Sequence, residues 1–83
     1  MIKRVLVIKN VSEIQEHMAT HFIRLANQFQ SQLRISVGER SVNAKSLLGI
    51  LSMGLAPGTT LTLMASGSDE QVAVDEIKAF LEQ

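Results

Sequence analysis

Alternation between apolar and polar residues predicts four β-strands along the chain. Residues 2–9 are rich in β-branched and aliphatic side chains, and residues 33–37 alternate between apolar and polar positions. The pair Gly38-Glu39 then allows a tight turn into a short strand around residues 40–43. Residues 59–65 alternate again after a Pro-Gly turn signal, so they complete the predicted set of strands.

Apolar residues spaced three and four positions apart predict three helices. The expected apolar face of the first helix comprises Ile14, Met18, Phe22, Leu25 and Phe29. Ser46 precedes a short apolar segment that ends near Gly54, which is typical of a short helix. The pattern Ser68-Asp69-Glu70-Gln71 is a capping box, and it predicts a last helix that reaches the C-terminus. The expected buried stripe of this last helix comprises Ala73, Ile77, Phe80 and Leu81.

The predicted order of elements is β-α-β-β-α-β-α in a chain of 83 residues. Hairpin-linked strands with interleaved helices favour an α+β sandwich, in which helices cover one face of an antiparallel sheet. A chain of this length can hold one hydrophobic core, so we expect one domain over residues 1–83.

The composition excludes two kinds of stabilising site and indicates where the protein is located. Cysteine is absent, so neither a disulfide nor a cysteine-ligated metal can stabilise the fold. The longest apolar runs, such as residues 5–8, are far shorter than the roughly 20 residues of a membrane-spanning helix. The first residues lack the apolar length and the cleavage site of a signal peptide. We therefore expect a cytoplasmic protein that does not enter the membrane.

The net charge is zero, but the charges are unevenly distributed along the chain. Residues 1–45 carry seven Lys and Arg against three Glu, a balance of +4, whereas residues 46–83 carry one Lys against five acids, a balance of −4. This asymmetry indicates either an oriented interaction face or basic strands that lie beside an acidic helix by chance. Without clustered Lys and Arg, the sequence predicts no strong direct binding to nucleic acid.

Residues 43–55 read Asn-Ala-Lys-Ser-Leu-Leu-Gly-Ile-Leu-Ser-Met-Gly-Leu. This stretch resembles, at almost every position, the regulatory-serine signature of HPr, the phosphocarrier of the bacterial phosphotransferase system. The resemblance extends without gaps over the whole chain. It implies an open-faced sandwich with three helices on a four-stranded antiparallel sheet, in agreement with the predicted order of elements.

The loop that carries the phosphorylated histidine in HPr departs from the family pattern. Gln15 stands at the position of that histidine, and a carboxamide cannot carry a phosphoryl group. His17 and Met18 replace the family's arginine and proline, and Glu13 replaces its glycine. Glu16 adds negative charge where a phosphate would arrive. We therefore expect no histidine phosphotransfer and no catalytic residue in this chain.

Residues 12–15 instead have the pattern of a capping box, with Ser12 as the N-cap. We expect the first helix to begin near Glu13, about one turn earlier than in the family, so that Ser12 occupies the helix end that receives the phosphate in HPr. A glutamine at position 15 resembles the catabolite-repression paralogue of HPr, which keeps the regulatory serine. That paralogue normally also keeps the arginine and proline that are His17 and Met18 here.

Ser46 is the candidate modification site. By the resemblance, HPr kinase/phosphorylase phosphorylates this position, and the modified protein acts as corepressor for a catabolite control protein of the LacI family. A phosphate at the cap of a short helix would face free N–H groups, with Lys45 adjacent. The alternative is that Ser46 is only a helix N-cap.

Two further groups of residues are candidates for partner binding. The first group is Lys45 with Leu47, Leu48 and Leu51. These residues flank Ser46 on a surface that docks partners in the family, although we expect at least one of the three leucines to belong to the core. By the same resemblance, His17 and Arg24 occupy partner-contacting positions on the first helix, and His21 lies four residues after His17.

Two histidines four residues apart can bind a metal from one helix. No third ligand is apparent here, and Arg24 opposes a cation, so a solvated helix face is the better interpretation of His17 and His21.

These observations leave three classes of function. The leading hypothesis is a regulator without histidine phosphotransfer, whose partners are HPr kinase/phosphorylase and a LacI-family regulator. The alternative is a constitutive protein-binding module that has lost both phosphorylations. An enzyme or an active phosphocarrier has little support, because the sequence shows no nucleophile–base pair, metal constellation or phosphate-binding loop. No cofactor is expected.

Overall fold

The fold is that of a computed structural model, which describes residues 1–9 and 15–82 and, for residues 15–17, the backbone alone. The elements follow in the order β1 (Ile2–Val7), α1 (Gln15–Ala26), β2 (Gln32–Val37), β3 (Arg40–Asn43), α2 (Leu47–Met53), β4 (Thr60–Ser66) and α3 (Glu70–Leu81). This order confirms the predicted βαββαβα arrangement.

The four strands form one antiparallel sheet in the order β1-β4-β2-β3. Leu6 pairs with Leu61 between β1 and β4, and Ile35 of β2 pairs with Leu63 of β4. These side chains point toward the helices and are almost fully buried. Because side chains alternate along a strand, the opposite face presents residues that are exposed or half-buried, which is the pattern of an open-faced sandwich.

Helices α1 and α3 pack against each other and supply much of the core. The rings of Phe22 and Phe80 meet at a centroid distance of 6.2 Å in a tilted arrangement. The buried residues of α3 are Ala73, Val74, Ile77 and Leu81. The predicted stripe was therefore wrong at one position, because Phe80 is only half-buried, and it omitted Val74.

The start of α3 also differs from the prediction. The N-cap is Asp69 rather than Ser68, and its side chain makes no hydrogen bond to its own helix. Instead, the carboxylate of Glu70 reaches back and accepts a hydrogen bond from the N–H of Gly67 at 3.2 Å. The predicted capping box at residues 68–71 was wrong, because the N-cap lies one residue later and the Gln71 side chain donates to Asp75 instead of reaching back to Ser68.

The predicted cap at Ser12 and the helix start near Glu13 lie outside the described residues. Within the described part of the chain, no helix is long and apolar enough to cross a membrane.

Candidate functional site

Ser46 lies at the N-terminus of α2 and caps it. Its backbone is extended, with φ −99° and ψ 118°, and its Oγ accepts a hydrogen bond from the N–H of Gly49 at 3.2 Å. Its carbonyl oxygen accepts the first helical hydrogen bond from the N–H of Ile50 at 2.9 Å. The predicted role of Ser46 as an N-cap is confirmed, and the side chain remains half-buried.

The segment before Ser46 is held by three hydrogen bonds. The Asn43 side-chain oxygen accepts from the N–H of Lys45 at 2.9 Å, and the Asn43 carbonyl accepts from the N–H of Ser46 at 3.1 Å. The N–H of the buried Ala44 donates to the carbonyl of Leu33 at 2.9 Å. This Asx turn fixes the position of Ser46. The sequence analysis missed the role of Asn43, although an asparagine shortly before a helix cap is the signal for such a turn.

Gly49 allows α2 to approach β3 closely. A Cβ atom at this position would lie 3.2 Å from Cβ of Val42 and 3.4 Å from both Cβ and Oγ of Ser46. A larger residue would therefore press on the capping serine as well as on the strand. The glycine inside an apolar helical pattern was the available signal for this close packing.

Helix α2 has seven residues and buries only Ile50 fully. Leu47, Leu48 and Leu51 are 43%, 82% and 40% exposed, so the expectation that at least one of them is a core residue was wrong. A helix that packs along one narrow side leaves its other apolar residues in solvent. We refer to Leu47, Leu48 and Leu51 as the leucine patch.

The C-terminus of α2 is also held by a cap and by side-chain hydrogen bonds. Gly54 is in the left-handed conformation, with φ 62° and ψ 40°, and it caps the helix. The guanidinium of Arg40 donates to the carbonyl of Ser52 at 2.9 Å and to its hydroxyl at 3.2 Å. A cation at this helix end is favourable for the helix dipole. Nothing in the sequence analysis identified Arg40, since its pairing with Ser52 joins two separate elements.

Lys45 does not turn its ammonium toward Ser46. Its Nζ donates to the backbone carbonyl of Phe29 at 2.6 Å, in the loop that follows α1. Among the described contacts none joins this ammonium to Ser46, so the two residues are adjacent in sequence while their side chains point to different groups.

The α1 candidates lie on the helix next to α2. His21 and Arg24 are exposed, and α1 packs against α2, so both residues are presented by a helix adjacent to the leucine patch. His17 belongs to α1, but its side chain is outside the description. Among the described residues, no three His, Cys, Asp or Glu side chains are grouped so as to hold a metal ion.

The charge asymmetry of the sequence corresponds to a separation in space. Lys3 and Arg34 point away from the helices on the uncovered face of the sheet. The acids Glu70, Asp75 and Glu76 are carried by α3, on the other side of the sheet. The positions of these five residues fit the alternative of basic strands beside an acidic helix.

Asp69 connects the start of α3 to the loop between α1 and β2. Its carboxylate accepts hydrogen bonds from the N–H of Gln30 at 2.9 Å, from the N–H of Ser31 at 3.0 Å and from the Ser31 hydroxyl. The Ser31 hydroxyl, followed by the Gln30 N–H, lowers the pKa of Asp69 below its ordinary value. The Gly67 N–H, followed by the ammonium of Met1, likewise lowers the pKa of Glu70.

Comparisons with known proteins agree on one family. The family model described as the PTS HPr component phosphorylation site matches residues 2–83. The chain is 35% identical to the HPr-like protein Crh of Halalkalibacterium halodurans over 100% of this chain and 99% of that protein. It is 31% identical to Crh of Bacillus subtilis over 100% of this chain and 98% of that protein. The solved structure of HPr from Thermoanaerobacter tengcongensis superposes with a TM-score of 0.91 at 33% identity, covering 99% of this chain and 92% of that chain.

Proposed function

The chain belongs to the HPr family, whose members are phosphocarrier proteins rather than enzymes, and we propose that it acts in the cytoplasm as a regulator without histidine phosphotransfer. In this proposal, HPr kinase/phosphorylase modifies Ser46, and the modified protein is a corepressor or partner of a LacI-family catabolite regulator. Similarity to Crh supports this role, since the solved Crh of Bacillus subtilis is described as the Catabolite Repression HPr and superposes with a TM-score of 0.72.

The observation that carries the proposal is the position of Ser46 directly beside the leucine patch. The patch is exposed, and Ser46 begins the same helix. A phosphate on Ser46 would add about two negative charges at the edge of this apolar surface. The first-turn N–H groups of Leu47 and Leu48 have no acceptor within the helix, so they can donate to phosphate oxygens. Modification would then change the partner surface without requiring the fold to rearrange.

The loss of phosphotransfer is tested with phosphoenolpyruvate and the general phosphotransferase enzyme. We expect no phosphoryl group on the protein, because Gln15 has no nucleophilic nitrogen. Gln15→His alone is not expected to restore transfer, since His17, Met18 and the two neighbouring glutamates also depart from the family pattern. A Gln15→His protein that passes phosphate onward would contradict this part of the proposal.

The regulatory modification is tested by intact mass after incubation with HPr kinase/phosphorylase and ATP. The wild-type protein is expected to gain one phosphate, and Ser46→Ala is expected to gain none. Ser52→Ala is a matched control, because Ser52 is an exposed serine on the same helix and its loss should leave phosphorylation intact. If a related HPr in the same tube is modified while this protein is not, Ser46 is a helix cap only.

The alternative function is a constitutive protein-binding module. The observation that favours it is that the leucine patch is exposed before any phosphate is present. Binding of a LacI-family regulator to the phosphorylated and unmodified proteins separates the two hypotheses. Equal affinity for both forms, with loss in Leu48→Ser, would favour the module. Binding that requires the phosphate would favour the regulator.

A further inference from the structure

A cleft lies where β2 begins and β3 ends, apart from the leucine patch. Its volume is about 290 Å³, and it is lined by residues 30–34 together with Asn43 and Lys45. This volume is near the lower end of the roughly 300–1,000 Å³ found for ligand pockets. The cleft can therefore accept a small molecule but not a large cofactor.

The cleft is lined by two cations and by no acidic residue. The Nε of Arg34 donates to the Ser41 hydroxyl at 3.2 Å, and the Nζ of Lys45 donates to the Phe29 carbonyl at 2.6 Å. Both partners are neutral, so they orient the cations without cancelling their charge. Among the described residues, no carboxylate forms an ion pair with either cation.

The remaining polar groups of the wall are mainly carboxamides. Gln30, Gln32 and Asn43 line the cleft and can donate or accept hydrogen bonds. The acid Asp69 contacts this wall from outside the lining, and its carboxylate accepts from the N–H groups of Gln30 and Ser31 and from the Ser31 hydroxyl. Its charge is therefore compensated by three hydrogen-bond donors.

We propose that this cleft binds the phosphate group of a small phosphorylated metabolite. Two oriented cations suit a dianion better than a single carboxylate, and the terminal nitrogens of Arg34, which hold no hydrogen bond to any described residue, match the oxygens of a phosphate. Gln30 and Gln32 also line the cleft, and their carboxamides can donate hydrogen bonds to an anion. The cleft shares no residue with the leucine patch, so its ligand binding can be tested on the unphosphorylated protein.

The test follows the ¹H–¹⁵N spectrum of the full chain during titration with inorganic phosphate and, separately, with glycerol 3-phosphate. Ionic strength is held constant with chloride. We expect saturable shifts in the amides of residues 30–34 and 43–45. Arg34→Gln should weaken binding by about tenfold or more, as expected for losing hydrogen bonds from a charged donor. Tighter binding of the ester than of phosphate identifies a metabolite site, whereas equal binding identifies a site for the free ion.

Lys9→Gln is the matched control, because it removes one positive charge from an exposed residue outside the cleft. It should bind as the wild type does. Equal weakening in Lys9→Gln and Arg34→Gln would show an effect of net charge and overturn the proposal. Shifts that do not saturate, or an Arg34→Gln protein that is folded by its spectrum and binds unchanged, would also overturn it.

Discussion

Helices α2 and α3 each begin with a residue that commonly caps helices, but they use it differently. Ser46 accepts a hydrogen bond from Gly49 of its own helix. Asp69 occupies the N-cap position of α3 without capping it, and its carboxylate instead holds the loop at Gln30 and Ser31. The Ser46 side chain stabilises its own helix, whereas the Asp69 side chain joins two parts of the chain that are distant in sequence.

The two helices also differ in how many residues they bury. Helix α2 buries one residue fully, Ile50, and presents the leucine patch to solvent. Helix α3 buries four residues and starts at a cluster of hydrogen bonds that stabilises the fold. Residues that the core does not use are available for partners, so the candidate regulatory surface lies on the helix with the smaller contribution to the core.

The largest expected change in the free energy of unfolding comes from the buried residue of α2. Ile50 is 2% exposed, so Ile50→Ala should lower the free energy of unfolding by about 2–5 kcal/mol through lost burial and a residual cavity. Leu48→Ala, at 82% exposure, should change it by less than about 0.5 kcal/mol. Urea denaturation at pH 7 measures both. Equal losses in the two variants would contradict the division between a buried residue and a partner surface.

The next effect compares Gly67, which precedes α3, with Gly49, which lies in the first turn of α2. A Cβ at Gly67 would lie 2.6 Å from Cα and Oγ of Ser31, so Gly67→Ala should cost about 2–3 kcal/mol of unfolding free energy. At Gly49 the closest contact is 3.2 Å to a side chain, and alanine favours the helix by about 1 kcal/mol. Gly49→Ala should therefore cost less than about 1 kcal/mol. A Gly49→Ala protein less stable than Gly67→Ala would disprove this ranking.

A smaller effect separates the serine that caps a helix from the serine that only resembles a cap. Ser46→Ala should lower the free energy of unfolding by about 1 kcal/mol, because the Gly49 N–H loses its acceptor. Ser68 is exposed and is not the N-cap of α3, so Ser68→Ala should change it by less than about 0.5 kcal/mol. The same denaturation series measures both variants, and the reverse order would restore the capping box that the sequence predicted.

The smallest expected change is confined to acid pH. The pKa of Asp69 is lowered in the folded protein by hydrogen bonds from Ser31 and Gln30. Its stabilising contribution is therefore complete above the ordinary pKa of 3.8 and is lost as the pH falls through the lowered folded value. The urea midpoint of the wild type should therefore fall as the pH is lowered below about 4, and that of Asp69→Asn should fall less.

Asp75→Asn is the control for this series, because it removes a carboxylate of the same helix without touching the Ser31 loop. It should keep the wild-type dependence on pH. If Asp69→Asn and the wild type lose stability in parallel, the Asp69–Ser31 contacts do not contribute to acid sensitivity.

Most of the fold could be predicted because its signals are local. The alternation around Leu33 and Ile35 and the helical spacing of Met18 and Phe22 identify elements whose apolar faces become buried. The cap at Ser46 was also predictable, since a serine before an apolar run satisfies the first N–H groups of a helix.

The candidate site was less predictable where it depends on contacts between elements. The exposure of all three patch leucines depends on which side of α2 faces Val42 and the core. The pairing of Arg40 with Ser52 joins β3 to the end of α2, and the Lys45 ammonium reaches the loop after α1. No spacing in the sequence specifies these distances.

The sequence by itself determined the elements, their order and the serine that caps α2, because each depends on neighbouring residues along the chain. Only the tertiary structure decided that Asp69 holds another loop and that Arg34 and Lys45 meet in one cleft. Those outcomes depend on strand order and helix packing, which bring residues that are distant in sequence into contact or into the wall of one cleft.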